Sequence, residues 1–444
     1  LALVLVACDG DPAAGRGGEV VPDAGFLADG AIAASGDGDT RRPLRDDGRE
    51  PMWRWDEMAA RTMDRDLLAA GFDELSYSPP AGTEIYAAVI VESDMGPGYA
   101  MYEWGGGAFA QSFWPASTIK VHASLAALRY VASRGFSSSA TVKWASGFTD
   151  KVSSIVDRAI RVSSNEDYDR TIRIAGFDEL NTVWLSDERG FPTTNIKGGY
   201  AGFEVKNPPG YTLTEGAKTD VVPARAAQGT YPCASGKSNC TNLFELTEAV
   251  RRVVLRDEVP LAEQFDIPEK ELALVESALC NATPSFFADG AKKVLGAGTV
   301  ICHKPGWVPG LDSLDHGLVT ADDGRRFLLA AAIPDPGNSS SQAKLAILAE
   351  KTMMVLTGVK GHPFPLQRTT GVPIAVEREG EILRLAAATA DGFELFVDGE
   401  AVEVILCDDG FHCVDLGTEP IAEKLITVRA SRGNNVVGVR NLVL

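Results

Sequence analysis

The order of predicted elements between residues 53 and 356 limits the fold more than any other feature of this sequence. Apolar residues at helical spacing and short apolar runs between turn residues predict these elements. In chain order they are a helix at 53–72, strands at 84–91 and 99–104, a helix at 117–132, a helical block at 152–186, a long ordered loop at 187–241, helices at 243–255 and 269–279, strands at 299–303, 313–320 and 327–333, and a closing helix at 341–356. This order predicts an α+β fold, in which one sheet is covered by helices and carries an all-helical insertion.

The sequence changes character after residue 365. Residues 366–444 alternate apolar and polar side chains and contain Asp-Gly pairs at 391, 398 and 409, which are typical of hairpin turns. We therefore expect a small all-β domain at 366–444 that follows a larger domain at 51–365.

Composition excludes some classes of partner. The 444 residues are 45% apolar and 23% charged, which is ordinary for a folded protein. Asp+Glu 61 against Lys+Arg 42 gives a formal net charge of -19. Because phosphate backbones repel so acidic a chain, the composition argues against nucleic acid as a partner.

The N-terminal residues predict export. An apolar run too short to span a bilayer ends in the string LVAC, which resembles the lipobox of bacterial lipoproteins and whose last residue is Cys8. We expect residues 1–8 to be a signal remnant with a lipidated Cys8; an ordinary signal peptide with an incidental Cys, or a translation-start artefact, would explain the same string. Residues 9–50 are rich in Gly, Ala and Asp and predict a disordered acidic linker. The protein is expected in the bacterial cell envelope, periplasmic or on the cell surface, held to the membrane by lipid alone.

Cysteine usage agrees with export, because disulfides persist in oxidising compartments. Beyond Cys8 there are six cysteines, which form three close pairs in sequence order: Cys233 and Cys240, Cys280 and Cys302, and Cys407 and Cys413. Six cysteines allow 15 connectivities, so pairing between neighbours is a hypothesis. Zinc is the weaker alternative, because no CxxC or HxxxH spacing occurs.

The most informative motif is an SxxK, Ser117 to Lys120, at the start of a predicted helix. The i, i+3 spacing places both side chains on one helix face. A serine hydroxyl needs a nearby base to become a good nucleophile, and an amine held in a desolvated site can serve. The helix N-terminus adds free N–H groups and a positive dipole end beside a developing oxyanion.

Two further motifs distinguish this SxxK from a chance match. Ser341 and Lys344 form a second SxxK in the closing helix. Only Ser117 precedes both a Ser-Ser-Asn string at 163–165, at a helix end, and a Lys-Pro-Gly string at 304–306, at a strand end. A competing Lys-Gly-Gly string at 197–199 follows no predicted strand and is discounted.

The three motifs, in this order, resemble the SxxK, SDN and KTG signature of the penicillin-recognising serine hydrolases, the class A β-lactamases and penicillin-binding proteins. The resemblance covers residues 80–360 and includes the string HKPGW at 303–307 and the string AGFDELN at 175–181. It implies a β-lactamase-like α/β sandwich, with an antiparallel sheet, helices on both faces and an all-helical subdomain.

The resemblance also implies a role for each motif residue, with neither a metal nor a cofactor. By this resemblance, Ser117 would be the acylated nucleophile, Lys120 would be the base for Ser117, and Ser163 would relay a proton to the leaving nitrogen. Asn165 would contact Lys120 and substrate, Lys304 would attract the substrate carboxylate, and Gly306 would contact substrate. The backbone N–H groups of Ser117 and Trp307 would form the oxyanion hole.

Two departures from the family pattern affect the expected chemistry. Pro305 replaces the hydroxyl residue of KTG, which puts substrate preference in doubt. If the N–H of Trp307 points into the site, strand alternation puts the missing donor of Pro305 on the open edge of the sheet. Phe177 stands where class A enzymes carry their deacylating glutamate, and Glu204 is a loose substitute. Without such a base, an acyl-enzyme would hydrolyse slowly.

The expected function is that of a serine acyl-transfer hydrolase, similar to class A β-lactamases, that attacks an amide or β-lactam carbonyl. The expected partner is a β-lactam or a peptidoglycan stem peptide. One alternative is a D-alanyl-D-alanine peptidase or penicillin-binding protein with slow deacylation. Alternatives of another class are a non-catalytic cell-surface binding or sensor protein, and a protein whose main functional part is the glycan- or partner-binding segment 366–444.

Overall fold

The structure is a computed structural model, and it describes residues 59–443 apart from a set of short gaps. The gaps are 61, 92–96, 234–238, 260–262, 336, 338–339, 359–365, 368–369, 372–373, 380, 388–389, 408–410, 417–423 and 434. The predictions for the signal remnant, Cys8 and the linker at 9–50 lie outside the described residues. They stay predictions.

The elements are numbered in chain order within the described ranges. The α-helices are α1 (Leu67–Glu74), α2 (Lys120–Ser133), α3 (Val152–Arg161), α4 (Asn165–Ala175), α5 (Leu243–Val254), α6 (Glu269–Cys280), α7 (Ala288–Leu295) and α8 (Ser340–Gly358). The strands of the first 360 residues are β1 (Glu84–Val91), β2 (Gly98–Trp104), β3 (Thr141–Trp144), β4 (Thr149–Lys151), β5 (Asn195–Ile196), β6 (Tyr211–Glu215), β7 (Lys218–Val222), β8 (Asn239–Cys240), β9 (Val300–His303), β10 (Gly306–Val308), β11 (Asp312–Thr320) and β12 (Arg326–Pro334). The later strands are β13 (Leu366–Gln367), β14 (Thr370–Gly371), β15 (Ala375–Glu379), β16 (Ile382–Ala386), β17 (Gly392–Val397), β18 (Glu400–Val402), β19 (Ile405–Leu406), β20 (His412–Asp415), β21 (Leu425–Arg432) and β22 (Asn435–Val443). No helix among the described residues is long and apolar enough to cross a membrane.

A seven-stranded antiparallel sheet is the centre of the molecule. Its order is β10-β11-β12-β1-β2-β13, and β9 also pairs with β11. Alternate residues of β1 enter two different cores, because side chains alternate between the faces of a strand. Tyr86 lies in the core that includes Phe244 of α5, whereas Ile85 and Val89 lie in the core that includes Leu345 of α8. Helices therefore cover both faces, and the predicted fold class is confirmed.

Helix α2 lies between the sheet and the helical block. Ten of its fourteen residues are buried, including the fully buried Lys120. It packs against α3 and α4, the helices of the predicted all-helical insertion. The SxxK helix is therefore held on several sides.

Two predictions about elements were wrong. The 187–241 segment is not only a loop, because it contains the hairpin β6–β7, which pairs with β3 in a separate four-stranded sheet. In β6 the side chains alternate in burial, since Tyr211 and Leu213 are buried and Thr214 is exposed. This short pattern was not recognised because Gly, Pro and Thr residues surround it. The helix predicted at 53–72 is interrupted at 63–66: residues 53–58 and 61 lie outside the described ranges, 59, 60 and 62 are helical, and α1 begins at Leu67, whose N–H the Asp64 carboxylate accepts at 2.8 Å. Helix α7 was not predicted.

The C-terminal strands form two further sheets with a core cluster of their own. Their orders are β14-β22-β21-β17-β18 and β15-β16-β20-β19. The predicted all-β content is confirmed, and Asp398 and Gly399 form the turn between β17 and β18. The Asp391 pair is not a hairpin turn, because it leads from one sheet to the other. The 409 pair lies outside the described residues, and the boundary at 365 stays a prediction.

Candidate active site

Ser117 lies at the entrance to the SxxK helix. A short 3-10 turn, Ala116–Ile119, leads directly into α2. Ala116 has a φ of 47°, in the left-handed region that non-glycine residues seldom adopt. Ser117 is half-buried whereas Lys120 is fully buried, so the Lys120 amine is withdrawn from water.

The amine of Lys120 is bound by the connection between α3 and α4. Its Nζ donates to Oδ1 of Asn165 at 2.6 Å, to Oγ of Ser163 at 3.3 Å and to the Ser163 carbonyl oxygen. Ser163 has a φ of 61°, and the next residue, Ser164, caps α4 by accepting the N–H of Asp167 at 3.1 Å. The Ser-Ser-Asn string is therefore both a helix cap and a set of contacts to the SxxK lysine.

Lys304 reaches the same hydroxyl from the sheet. It follows the last residue of β9 and is fully buried, and its Nζ donates to Oγ of Ser163 at 2.9 Å and to the carbonyl oxygen of Pro305 at 3.0 Å. Burial lowers the pKa of Lys304 to about 7, and the charge of Asp315 opposes that shift. Two buried lysines from different elements therefore share one serine hydroxyl.

Strand β10 forms the edge of the sheet beside the SxxK turn. A Cβ on Gly306 would lie 3.0 Å from the carbonyl oxygen of Pro115 and 3.0 Å from Cγ2 of Thr118, so only glycine allows this approach without a shift. The N–H of Lys304 donates to His316 O at 2.9 Å, and N–H groups alternate sides along a strand. The nitrogens at 305 and 307 therefore point away from β11, toward the open edge, as the sequence predicts for Pro305.

Two contacts expected of this site are not formed. Among the described residues, no hydrogen bond joins the hydroxyl of Ser117 to Lys120, and such contacts are often long before substrate binds. Glu204 is exposed, and its carboxylate accepts the N–H groups of Lys206 and Asn207, both at 2.9 Å. The carboxylate therefore stabilises the local turn. Phe177, where the deacylating glutamate was expected, is buried.

A buried carboxylate and a tyrosine were missed by sequence reasoning. Asp169 accepts the N–H groups of Tyr200, Ala201 and Phe203 at 2.6 to 3.1 Å and so holds the 199–203 loop. Burial raises the pKa of Asp169, whereas these bonds and the charge of Lys120 oppose the rise. The Tyr200 hydroxyl donates to the Ala116 carbonyl oxygen at 2.8 Å, next to the nucleophile. Asp169 could have been noticed in the sequence, because it lies four residues after Asn165 and therefore on the same helix face. No sequence pattern marks Tyr200 as a site residue.

The competing motifs lie elsewhere. Ser341 is buried and its hydroxyl bonds to that of Ser313 at 2.7 Å, whereas Lys344 is exposed, so the second SxxK is a helix start. The 197–199 string does follow a strand, contrary to expectation, but that strand is the two-residue β5.

The cysteines pair as neighbours, as expected. The disulfides join Cys233 to Cys240, Cys280 to Cys302 and Cys407 to Cys413. Their sulfurs are therefore not zinc ligands. Within the described ranges, no cluster of three or more His, Cys, Asp or Glu side chains is placed to hold a metal ion.

Solved structures that are similar to this chain include class A β-lactamases and PBP-A. A class A β-lactamase from Bacteroides cellulosilyticus is 14% identical with a TM-score of 0.46, and the match covers 66% of this chain and 98% of that one. PBP-A is 16% identical with a TM-score of 0.47, covering 67% and 98%. A class A β-lactamase from Mycobacterium abscessus is 15% identical with a TM-score of 0.46, covering 66% and 99%.

No family model and no curated protein matches the sequence. The function proposed below is therefore supported by the geometry of the site alone.

Proposed function

We propose that this chain is a serine acyl-transfer hydrolase that uses Ser117 to attack an amide or β-lactam carbonyl. The observation that carries the proposal is the shared hydroxyl of Ser163, to which the buried amines of Lys120 and Lys304 both donate, at 3.3 and 2.9 Å. Lysine side chains are seldom fully buried, so two buried amines around one hydroxyl favour a functional site over a purely structural arrangement.

The geometry allows the following sequence of steps. Ser117 Oγ bonds to the carbonyl carbon while its proton passes to Lys120, since burial disfavours the charged form of an amine and suits it to be a base. The carbon–nitrogen bond then breaks, and Ser163 protonates the leaving nitrogen and regains a proton from a neighbouring lysine. Water finally hydrolyses the ester and restores Ser117.

Lys304 suits the recognition of a substrate carboxylate. With its pKa lowered to about 7 by burial, it is partly cationic near neutral pH. A buried cation attracts an anion strongly because the surrounding dielectric constant is low. The proposed substrate class is therefore one that carries a carboxylate near the scissile amide, as β-lactams and the ends of stem peptides do.

The experiment is a reaction of the full chain with a penicillin, followed by intact mass over time. We expect a covalent adduct in wild type and none in Ser117→Ala. Ser341→Ala, which removes the serine of the second SxxK, is the matched control and should react like wild type. An equal adduct in wild type and Ser117→Ala would refute Ser117 as the nucleophile.

A second candidate, a penicillin-binding protein or D-alanyl-D-alanine peptidase with slow deacylation, is favoured by a specific observation. Phe177 is buried where a deacylating base was expected, and Glu204 is exposed and bound to its own turn. On this basis we expect the adduct to persist. An adduct that decays with catalytic loss of penicillin would indicate a β-lactamase instead, and binding without an adduct would indicate a sensor.

We also propose that the protein is exported and anchored by lipid at Cys8. The oxidised cysteine pairs support this, because disulfides are rare in reducing compartments. Metabolic labelling with a fatty acid tests it. Label in wild type and none in Cys8→Ser is the expected result, and label in both would refute the assignment.

A further inference from the structure

The hydroxyl of Tyr200 makes a contact that the proposed acyl transfer does not use. It donates to the carbonyl oxygen of Ala116 at 2.8 Å. That carbonyl belongs to the same peptide group as the N–H of Ser117, and this peptide is trans. A trans peptide is planar, so its carbonyl and its N–H point in opposite directions. A hydrogen bond that fixes the Ala116 carbonyl therefore also fixes the direction of the Ser117 N–H.

This peptide group needs support from its surroundings. Ala116 has a φ of 47°, and such a conformation of a non-glycine residue persists only where neighbouring groups hold it. Strand β10 lies against its side chain, because a Cβ on Gly306 would be 3.1 Å from the Cβ of Ala116. Tyr200 restrains the other part of the residue, its carbonyl.

Tyr200 is itself held by helix α4. Its ring lies against the ring of Tyr168, with centroids 4.8 Å apart, and its N–H donates to the Asp169 carboxylate at 2.6 Å. Both partners are residues of α4, whose first residue, Asn165, accepts the Lys120 amine. Burial raises the pKa of the Tyr200 phenol, so the hydroxyl keeps its proton near neutral pH and is a donor rather than a base.

The N–H of Ser117 is available to a substrate. It lies in the first turn of the 3-10 segment, where N–H groups have no acceptor within the helix. In the part of the chain that the structure describes, it donates to no other backbone carbonyl. When Ser117 attacks a carbonyl carbon, negative charge develops on the carbonyl oxygen, and an N–H already aimed at that oxygen stabilises the charge.

We propose that Tyr200 is a positioning residue that aims the Ser117 N–H at the developing oxyanion. It acts through the Ala116 carbonyl, by fixing the plane of the peptide group. The same hydrogen bond polarises the amide and makes its N–H a stronger donor. The inference rests on the proposed function, because an oxyanion develops only if Ser117 attacks a carbonyl.

The test compares Tyr200→Phe with Tyr211→Phe. Each substitution keeps the ring and removes a hydroxyl that donates to a backbone carbonyl at 2.8 Å, and Tyr211 binds that of Ile174, near the end of α4 opposite to Asn165. Acylation by a penicillin is followed by intact mass over a range of penicillin concentrations. Tyr200→Phe should lower the maximal rate about tenfold and leave the concentration that gives half of that rate nearly unchanged. Tyr211→Phe should change neither.

A boronic acid gives a second measurement, because its tetrahedral adduct with a serine hydroxyl resembles the transition state of acylation. It should bind Tyr200→Phe about tenfold more weakly than wild type and bind Tyr211→Phe with wild-type affinity. A wild-type maximal rate in Tyr200→Phe, or equal slowing in the two variants, would overturn the proposal.

If wild type forms no adduct, the proposed function fails, and the effect of Tyr200 on the peptide group is measured without substrate. In protein labelled with ¹⁵N-serine, the amide signal that is missing from Ser117→Ala belongs to Ser117. This signal should move in Tyr200→Phe and stay in place in Tyr211→Phe, because only the first variant removes a hydrogen bond from its own peptide group. An unmoved signal in Tyr200→Phe would refute the positioning role.

Discussion

Ser163 is the residue at which the two buried lysines meet. Lys120 and Lys304 both donate to its hydroxyl. We expect Ser163→Ala to slow acylation by about 10²-fold or more, because a positioned proton donor contributes about 10²- to 10⁴-fold. The rate of adduct formation by a penicillin measures this effect.

The neighbouring serine is a matched control for that prediction. Ser164 caps α4 through the N–H of Asp167 and does not contact either lysine amine in the described structure. Ser164→Ala should lower the free energy of unfolding by about 1 kcal/mol and leave acylation within a few-fold of wild type. Equal slowing in the two variants would reduce Ser163 to a structural role.

Lys304 gives the stability a pH dependence of definite sign. Burial lowers its pKa from 10.5 to about 7 in the folded state. Between these values the unfolded chain binds the additional proton, so the contribution of Lys304 to the free energy of unfolding rises with pH, by up to about 1.4 kcal/mol per pH unit. Below about 7 and above 10.5 the two states hold equal numbers of protons at this residue, and the contribution is flat.

The measurement is urea unfolding of wild type and Lys304→Met across this range. The stability of wild type relative to the variant should rise between pH 7 and 10.5, which are the folded and unfolded pKa values. A difference that stays constant there would contradict the burial penalty on the amine.

Sequence identifies only those site residues that carry a motif. Ser117, Lys120 and Lys304 each lie in a recognisable string, and in the structure the two lysines both donate to the hydroxyl of Ser163. Asp315 and Tyr200 could not be predicted, because their contacts depend on strand register and on the path of a long loop. Burial, which sets the pKa of Lys304, is likewise a property of the folded chain.

At the scale of elements, strand β10 approaches the SxxK turn closely. A Cβ on Gly306 would meet the Pro115 carbonyl oxygen at 3.0 Å, so Gly306→Ala must displace the strand or the turn. We expect acylation to slow by roughly tenfold or more, since a displacement of about 1 Å can cost about 10²-fold. The penicillin adduct rate measures this.

Gly358→Ala is the control for this change. Gly358 ends α8, and a Cβ there would meet no atom within 4 Å. Its variant should acylate at the wild-type rate. If Gly306→Ala also acylates at that rate, the strand edge has no part in positioning the reaction.

Helices and strands were predicted well where a single spacing of apolar residues runs through the whole element. Strand β1 at Glu84–Val91 and helix α6 at Glu269–Cys280 follow clear apolar periods, and both were predicted almost to the residue. The hairpin β6–β7 was missed because its alternation is short and lies among turn residues. The interruption before α1 was not predicted, because the apolar period continues through it; at this point the Asp64 carboxylate accepts the N–H of Leu67 at 2.8 Å.

At the scale of the whole molecule, the disulfides differ in what they join. Cys280 ends α6 and Cys302 lies in β9, two residues before Lys304, whereas Cys407 and Cys413 lie in the C-terminal strands. Replacing Cys280 and Cys302 together by Ser should lower the free energy of unfolding by about 3 kcal/mol and slow acylation. Chemical denaturation and the adduct rate measure the two effects.

The C-terminal disulfide is the control. Replacing Cys407 and Cys413 together by Ser should leave the acylation rate unchanged, because the C-terminal strands have their own core. A loss of acylation in this variant would show that the C-terminal sheets support the site.

Fold class was predictable because element order restricts how one sheet can be covered. The two strands before the helical block and the three strands after it must share one sheet for their apolar faces to be buried. Strand β1 does pair with both β2 and β12. In the same sheet, β10 and β11 lie against the SxxK turn, and β9, which Lys304 follows, pairs with β11. The C-terminal sheets were predicted in type but not in pairing, since hairpin turns alone do not specify which strands become neighbours.

The most direct test of the central claim is to locate the acyl group. The full chain is treated with a penicillin, digested, and mapped by tandem mass spectrometry. We predict one modified residue, Ser117, in the peptide that also carries Lys120. Modification of Ser163 or Ser341 in place of Ser117 would contradict the assignment of the nucleophile.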